Sequence, residues 1–161
     1  MARYLSLPEA VRRRLVLENS EVSSSAAEAP AIHERTGVPL VFDNLHHRVN
    51  NPAGWGDSAA MRVFLATWPQ GQTPKIHFSS QRASERTVVR RDHTPGVQMA
   101  AAMPPRPEQH DDVVDAQEFV ALVGAVQDIE FDVMLEAKQK DLAILRLRED
   151  LAAIGQSELA W

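Results

Sequence analysis

Three carboxylates and one imidazole stand on or at the ends of short apolar runs, where they could hold metal ions. Glu18 closes Arg14-Leu15-Val16-Leu17-Glu18, Asp43 closes Pro39-Leu40-Val41-Phe42-Asp43, and Glu136 closes Phe131-Asp132-Val133-Met134-Leu135-Glu136. His77 sits between Ile76 and Phe78 in Lys75-Ile76-His77-Phe78-Ser79. A parallel strand buried on both faces is apolar throughout, and ligands in parallel α/β folds bind at the C-terminal strand ends. Polar groups in all four runs therefore point to a shared site. Asp43-Asn44-Leu45-His46 adds an imidazole three residues past a strand end, on a loop that can bring both groups onto one ion. Carboxylates and imidazoles without thiolates suit manganese or zinc better than calcium or an iron–sulfur cluster. Convergence of several such groups predicts more than one ion. Paired ions serve phosphoryl chemistry, one activating water and another stabilising the leaving oxygen.

Other polar residues have plainer readings. Lys75 lies two residues before His77, so strand alternation turns both to one side. Its cation needs a carboxylate partner or a modification there, and a salt bridge at the strand start is the simpler role. His47 reads as a loop hydrogen bond and His33 as a surface residue. His93 lies in an Arg/Pro-rich segment with no assigned role, and His110, before Asp111-Asp112, reads as a polar helix start.

The elements that must position these groups alternate. A helix-like Pro8–Arg13 precedes the first strand, and Ala26–Thr36 is a short helix restarted at Pro30 and capped by Gly37. Asp57–Thr67 is helical after the second strand, Ala116–Gln127 precedes the fourth, and Gln139–Ile154 follows it. Strand and helix thus alternate four times, which predicts a parallel sheet with crossover helices. Residues 82–109 hold Arg82, Arg86, Arg90, Arg91 and Arg106 with four prolines. Apart from a possible short strand at Thr87–Val89, this segment is expected to be one long functional loop. The plain reading of its arginines is a solvated loop.

Composition bounds the rest. The 161 residues suit one domain, residues 1–161, but fall short of the ~250 typical of a closed eight-stranded barrel. There are no cysteines, so disulfides, thiolate sites and a cysteine nucleophile are excluded. A net charge of −5 argues against general nucleic-acid coating, though not against one local basic surface. No apolar run approaches the ~18 residues of a membrane span, and the start lacks the core of a secretory signal. The expectation is a soluble cytoplasmic protein with no membrane partner. No glycine-rich phosphate loop and no Gly-x-Ser-x-Gly elbow is present.

Several of these stretches resemble the C-terminal half of the UV damage endonucleases. They are Arg14-Leu15-Val16-Leu17-Glu18-Asn19, Val38-Pro39-Leu40-Val41-Phe42-Asp43-Asn44-Leu45-His46-His47, Thr67-Trp68, Pro74-Lys75-Ile76-His77-Phe78-Ser79-Ser80-Gln81, and Phe131 through Ala143. The resemblance implies the C-terminal half of a (β/α)8 TIM barrel related to endonuclease IV: four parallel strands with crossover helices. It implies DNA repair by metal-dependent nicking of the backbone 5′ of UV photoproducts in double-stranded DNA, usually with Mn²⁺ and more than one ion. The implied metal ligands are Glu18, Asp43, His46, His77 and Glu136, with His110 preferred over His93 because a His-x-Asp context precedes a helix. Lys75 matches a family lysine that can be carboxylated and then joins the site, so Lys75 and Glu136 are the implied catalytic residues. The implied DNA partner would meet Arg82, Arg86, Arg90 and Arg91. The family's first four strand–helix units have no counterpart here. The chain is thus expected to be a truncated copy, a non-catalytic metal- or DNA-binding remnant, or half of a split enzyme completed by an N-terminal half or by self-association.

Overall fold

The structure is a computed structural model and describes residues 2–91 and 98–159. Its strands are β1 (Leu17–Glu18), β2 (Leu40–Asp43), β3 (Lys75–Phe78), β4 (Arg86–Arg91), β5 (Gln98–Met103) and β6 (Asp132–Leu135). Its helices are α1 (Ala2–Leu5), α2 (Glu9–Arg12), α3 (Ala29–Thr36), α4 (Asn44–Val49), α5 (Asp57–Leu65), α6 (Ala116–Gly124) and α7 (Asp141–Ala153), and a 3-10 turn follows at Ser157–Leu159. β1, β2, β3 and β6 form one sheet in that order, and every pairing is parallel. Helices fill each connection between neighbours: α3, then α4 and α5, then α6. This is the parallel sheet with crossover helices that the alternation predicts.

Strand alternation divides the sheet into two faces. Leu40, Phe42, Ile76 and Phe78 point to the helices and are fully buried. They share one core with Met61 and Phe64 of α5, Phe119 of α6, and Leu147 and Leu151 of α7. Phe64 meets Phe42 edge-on at 5.7 Å, and Phe119 meets Phe78 at 5.3 Å, the tilted geometry that aromatic quadrupoles favour. The opposite face carries Lys75, His77, Asp132 and Met134. Met134 is 53% exposed on that face, whereas Val41 and Asp43 of β2, which also alternate away from the core, are buried. Among the described residues, β1 and β6 each pair on one edge only.

Local signals explain the helix ends. Pro30 lies in the first turn of α3, where its missing N–H breaks no helical bond, so the helix begins there and is not interrupted. Gly37 closes α3 at φ 71°, its N–H bonded to His33 O at 2.7 Å. Asp115 caps α6 by accepting from the N–H groups of Gln117 and Glu118, both at 2.9 Å.

Two expectations need correction. The segment 82–109 is not one long loop: β4 and β5 pair antiparallel over six residue pairs, from Arg86↔Met103 to Arg91↔Gln98. The possible strand at Thr87–Val89 is the middle of β4. The residues after Asp43 are not a loop either, because Asp43 caps a short helix, α4. His93 lies outside the described residues. Among the described residues, no helix is long and apolar enough to cross a membrane.

Phe64 ties the helical layer to the central strand. Phe64→Ala should lower stability by about 3–5 kcal/mol. The check is urea denaturation, with a lower midpoint and an unchanged slope.

Candidate metal centre

The strand ends are pinned by side chains before any ligand is placed. Asn19 follows β1, and its amide bonds the backbone of Asp43 twice. Nδ2 donates to Asp43 O at 3.0 Å, and Oδ1 accepts from Asp43 N–H at 2.8 Å. Asn44 follows β2 and grips Ser79 the same way, with both bonds at 2.9 Å. Each amide acts as one more ladder rung where main-chain pairing has stopped. Both asparagines are buried, so no water competes for these bonds. Glu136 N–H donates to Phe78 O at 2.8 Å and carries the β3–β6 ladder one step further.

Alternation then turns Glu18, Asp43 and His77 to the uncovered face at the C-terminal end of the sheet. Asp43 pairs with His77 in register, and one ligand atom from each of Glu18, Asp43 and His77 lies within 4.8 Å of the others. Asp43 Oδ1 accepts from His46 N–H at 2.7 Å, so the helix cap brings the His46 ring one turn above the carboxylate. His46 Nδ1 lies 3.0 Å from Asn19 O, 2.7 Å from Glu18 Oε1 and 3.8 Å from Asp43 Oδ1. Nδ1 thus faces the Asn19 carbonyl and the Glu18 and Asp43 carboxylates, while Nε2 faces Glu21. His77 Nδ1 stands 3.3 Å from Glu18 Oε2 and 3.5 Å from Glu136 Oε1, in ionic range but off the hydrogen-bond line. His110 is brought in by an antiparallel bridge to Gln81, and its Nε2 lies 3.7 Å from Glu136 Oε2.

Charge in this cluster is strongly coupled. Burial alone would push Glu18 up, but the imidazoles of His46 and His77 outweigh it and hold Glu18 down at about 2. The Glu18 carboxylate, with Asp43 behind it, raises His46 to about 9. His77 is raised first by the same Glu18 carboxylate. Burial raises Asp43, and the negative charges of Glu18 and Glu136 add to that. Asp43 Oδ2 is buried with no hydrogen-bond partner. A buried anionic oxygen without a partner is costly. A divalent cation among Glu18, Asp43 and His77 would satisfy it, and oxygen and imidazole donors suit such an ion. The residues present therefore fit a metal.

All six residues implied as ligands meet in this one cluster: Glu18, Asp43, His46, His77, His110 and Glu136. Lys75 does not reach it. Its Nζ is held by Asp132, its register partner on β6, at the opposite end of the strands. Arg82 turns to Asp112 at 3.3 Å, and only 10% of its side chain is exposed. His47 bonds Trp55 O at 2.9 Å, the local hydrogen bond expected of it, and His33, read as a surface residue, is half-buried and bonds Val38 O at 2.8 Å. Sequence reasoning missed Glu21, whose Oε2 lies 3.5 Å from His46 Nε2. Its signal is a carboxylate three residues after Glu18 in an otherwise neutral stretch. It also missed Asn19 and Asn44, each placed directly after a candidate ligand carboxylate.

Two outcomes follow from this geometry. Asn44→Ala leaves Ser79 N–H and C=O unpaired in a buried place and should cost about 2–4 kcal/mol in urea denaturation. The second concerns pH in metal-free protein. Glu18 lies below its ordinary 4.5, so its contribution is complete above pH 4.5 and is lost as pH falls toward 2. His46 lies above its ordinary 6.5, so its contribution is complete below pH 6.5 and is lost as pH rises through about 9. The stability difference between wild type and Glu18→Gln should therefore be greatest between pH 4.5 and 6.5 and shrink on both sides. Urea midpoints measured across pH with chelator present test this.

Known proteins match this architecture along almost the whole chain. The family described as "UV-endonuclease UvdE" matches residues 1–160. A UV DNA damage endonuclease of Bacillus pumilus (strain SAFR-032) is 37% identical over 153 residues, covering 92% of this chain and 41% of that protein. One of Bacillus velezensis is 32% identical over 159 residues, covering 96% of this chain and 43% of that protein. A solved structure titled "Crystal Structure of SacUVDE" superposes with a TM-score of 0.72 at 29% identity, over 96% of this chain and 45% of that one. The chain thus spans less than half the length of these relatives, and its sheet is part of a TIM barrel. On these matches, the chain belongs to the UV-endonuclease UvdE family.

Proposed function

We propose that this chain carries the C-terminal half of a metal-dependent DNA repair endonuclease that nicks the backbone 5′ of UV photoproducts. The observation that carries this reading is the convergence of Glu18, Asp43, His46, His77, His110 and Glu136 at one end of the sheet, around a buried carboxylate oxygen without a partner. Mn²⁺ is the favoured ion and Zn²⁺ the substitute, with more than one ion held. Such ions, when bound, supply Lewis-acid chemistry: activation of water and stabilisation of the leaving oxygen. The chain's own part is to hold them. Glu18, Asp43 and Glu136 provide the charge, and the imidazoles of His46, His77 and His110 fix positions. Asn19 and Asn44 keep the carboxylates at fixed separations. Lys75 shares a face with His77. Carboxylation would turn its attraction to Asp132 into repulsion and release it toward the ligands.

The uncovered face with Lys75, His77, Asp132 and Met134 supports a further element of this reading. A complementary wall, from an N-terminal half or a second copy, completes the substrate cleft for UV-damaged double-stranded DNA.

The test is nicking of UV-irradiated supercoiled plasmid with Mn²⁺, by the chain alone and with the N-terminal half of a relative added. Nicking that depends on the added half, and falls by at least ~100-fold in Glu136→Gln, is the expected outcome. Absence of nicking in both mixtures would overturn the proposal.

A further inference from the structure

We propose that the β4–β5 ribbon is a DNA-contacting arm that lies along the phosphate backbone beside the metal centre. This rests on the reading above, that the chain acts on DNA. It assigns the role to a structural unit that the catalytic cluster does not use.

Position comes first. The ribbon leaves the sheet directly after β3 and returns at His110. Its base is closed by the Gln81↔His110 bridge, by Arg82 N–H donating to Gln109 O at 2.8 Å, and by Asp111 N–H donating to Ser80 O at 2.9 Å. Arg82 locks that base, with Nη1 on Asp112 at 3.3 Å and Nε on Ser84 O at 3.2 Å. Arg82 is therefore a clamp and not a phosphate contact. The far end of the β6 loop is fastened to the same place, since Lys138 N–H bonds Asp111 O and Gln139 N–H bonds Asp112 O, both at 3.0 Å. The arm is anchored to the residues that present His110 and Glu136.

Charge and exposure come second. β4 contains Arg86, Arg90 and Arg91, and neither strand contains an acidic residue, in a chain whose net charge is −5. Arg86, Thr87, Val89 and Ala100 to Ala102 are exposed and bury little against the body. Among the described residues, β4 and β5 ladder only with each other. An isolated two-stranded hairpin is marginal in water, which leaves its order dependent on a partner. A basic, extended ribbon with small side chains on its second strand is complementary to a polyanion approached closely. Six residues of strand span about 20 Å, more than half of a ~34 Å duplex turn. Arginine also forms the paired bonds that phosphate oxygens accept.

The test uses the 161-residue chain, a fluorescent duplex and chelator, with anisotropy followed over a salt series. In the triple variant Arg86→Ala, Arg90→Ala, Arg91→Ala, the slope of log affinity against log salt should fall by about 0.9 for each phosphate that is no longer neutralised. The corresponding triple lysine variant keeps the charge and should keep the slope. It also controls for loss of the ribbon's structure. An unchanged slope in the alanine variant, or no duplex binding by wild type, would overturn the arm. Equal capture of polyglutamate, abolished in the same variant, would also overturn it and assign the ribbon to acidic protein segments. The two readings separate cleanly. A reduced slope with no nicking in any mixture keeps the arm and removes the endonuclease, while nicking with an unchanged slope does the reverse.

Discussion

Two asparagine side chains set the spacing on which the whole centre depends. β1 is only two residues long, and β2 and β3 are four each, so main-chain pairing ends at or within a residue of Glu18, Asp43 and His77. Left there, the strand ends would splay, and three carboxylates in one small volume would drive them apart. Asn19 and Asn44 close that gap. Each supplies one donor and one acceptor to the backbone of the next strand, in the pattern of a ladder rung. Because both are buried, these bonds compete with no water. The electrostatic properties of Glu18, Asp43 and His77 follow from distances that these amides hold fixed.

That constraint explains why the cluster tolerates so much like charge. Glu18, Asp43 and Glu136 repel one another, and burial adds to the cost for Asp43. The imidazoles answer this from between the carboxylates: His46 against Glu18 and Asp43, and His77 against Glu18 and Glu136. Protons on the rings do for the metal-free protein what cations would do for the loaded one. The two states therefore exclude each other at the same atoms, as they do wherever deprotonated ligands hold an ion. Asp43 Oδ2 is the exception, since no imidazole proton reaches it. It marks where protonation alone leaves the centre unfinished.

The parts legible in the sequence were those written by local rules. Apolar runs ending in carboxylates gave the four parallel strands and most of the candidate ligands, because strand direction and alternation decide where such side chains go. The resemblance added His110. What stayed hidden depends on partners distant in sequence. Lys75 and Asp132 are 57 residues apart and meet only through the β3–β6 register. The ribbon was hidden because Gln98–Met103 is mostly alanine and methionine, residues of low strand propensity, and pairing with β4 overrides that preference. α4 was hidden because a six-residue helix is too short to show a period. Its one signal is Asp43 placed to cap it, and that residue was already taken as a ligand. Asn19 and Asn44 read as ordinary turn formers, since nothing local shows that their amides face a neighbouring strand.

The open face gives this arrangement its direction. On the face that alternates away from the core helices, Met134 is exposed, whereas Val41 and Asp43 of β2 are buried. In a barrel that side is the packed interior, and its upper rim is the site. The ligand cluster therefore sits at the boundary between a finished layer and an unfinished one. Its deepest member, Asp43, is completely buried, while Glu18 and Glu136 each keep 30% of their side chains exposed. The rung asparagines lie on the dry side, between β1, β2 and β3. The separations among Glu18, Asp43 and His77 are thus held by groups within the sheet itself.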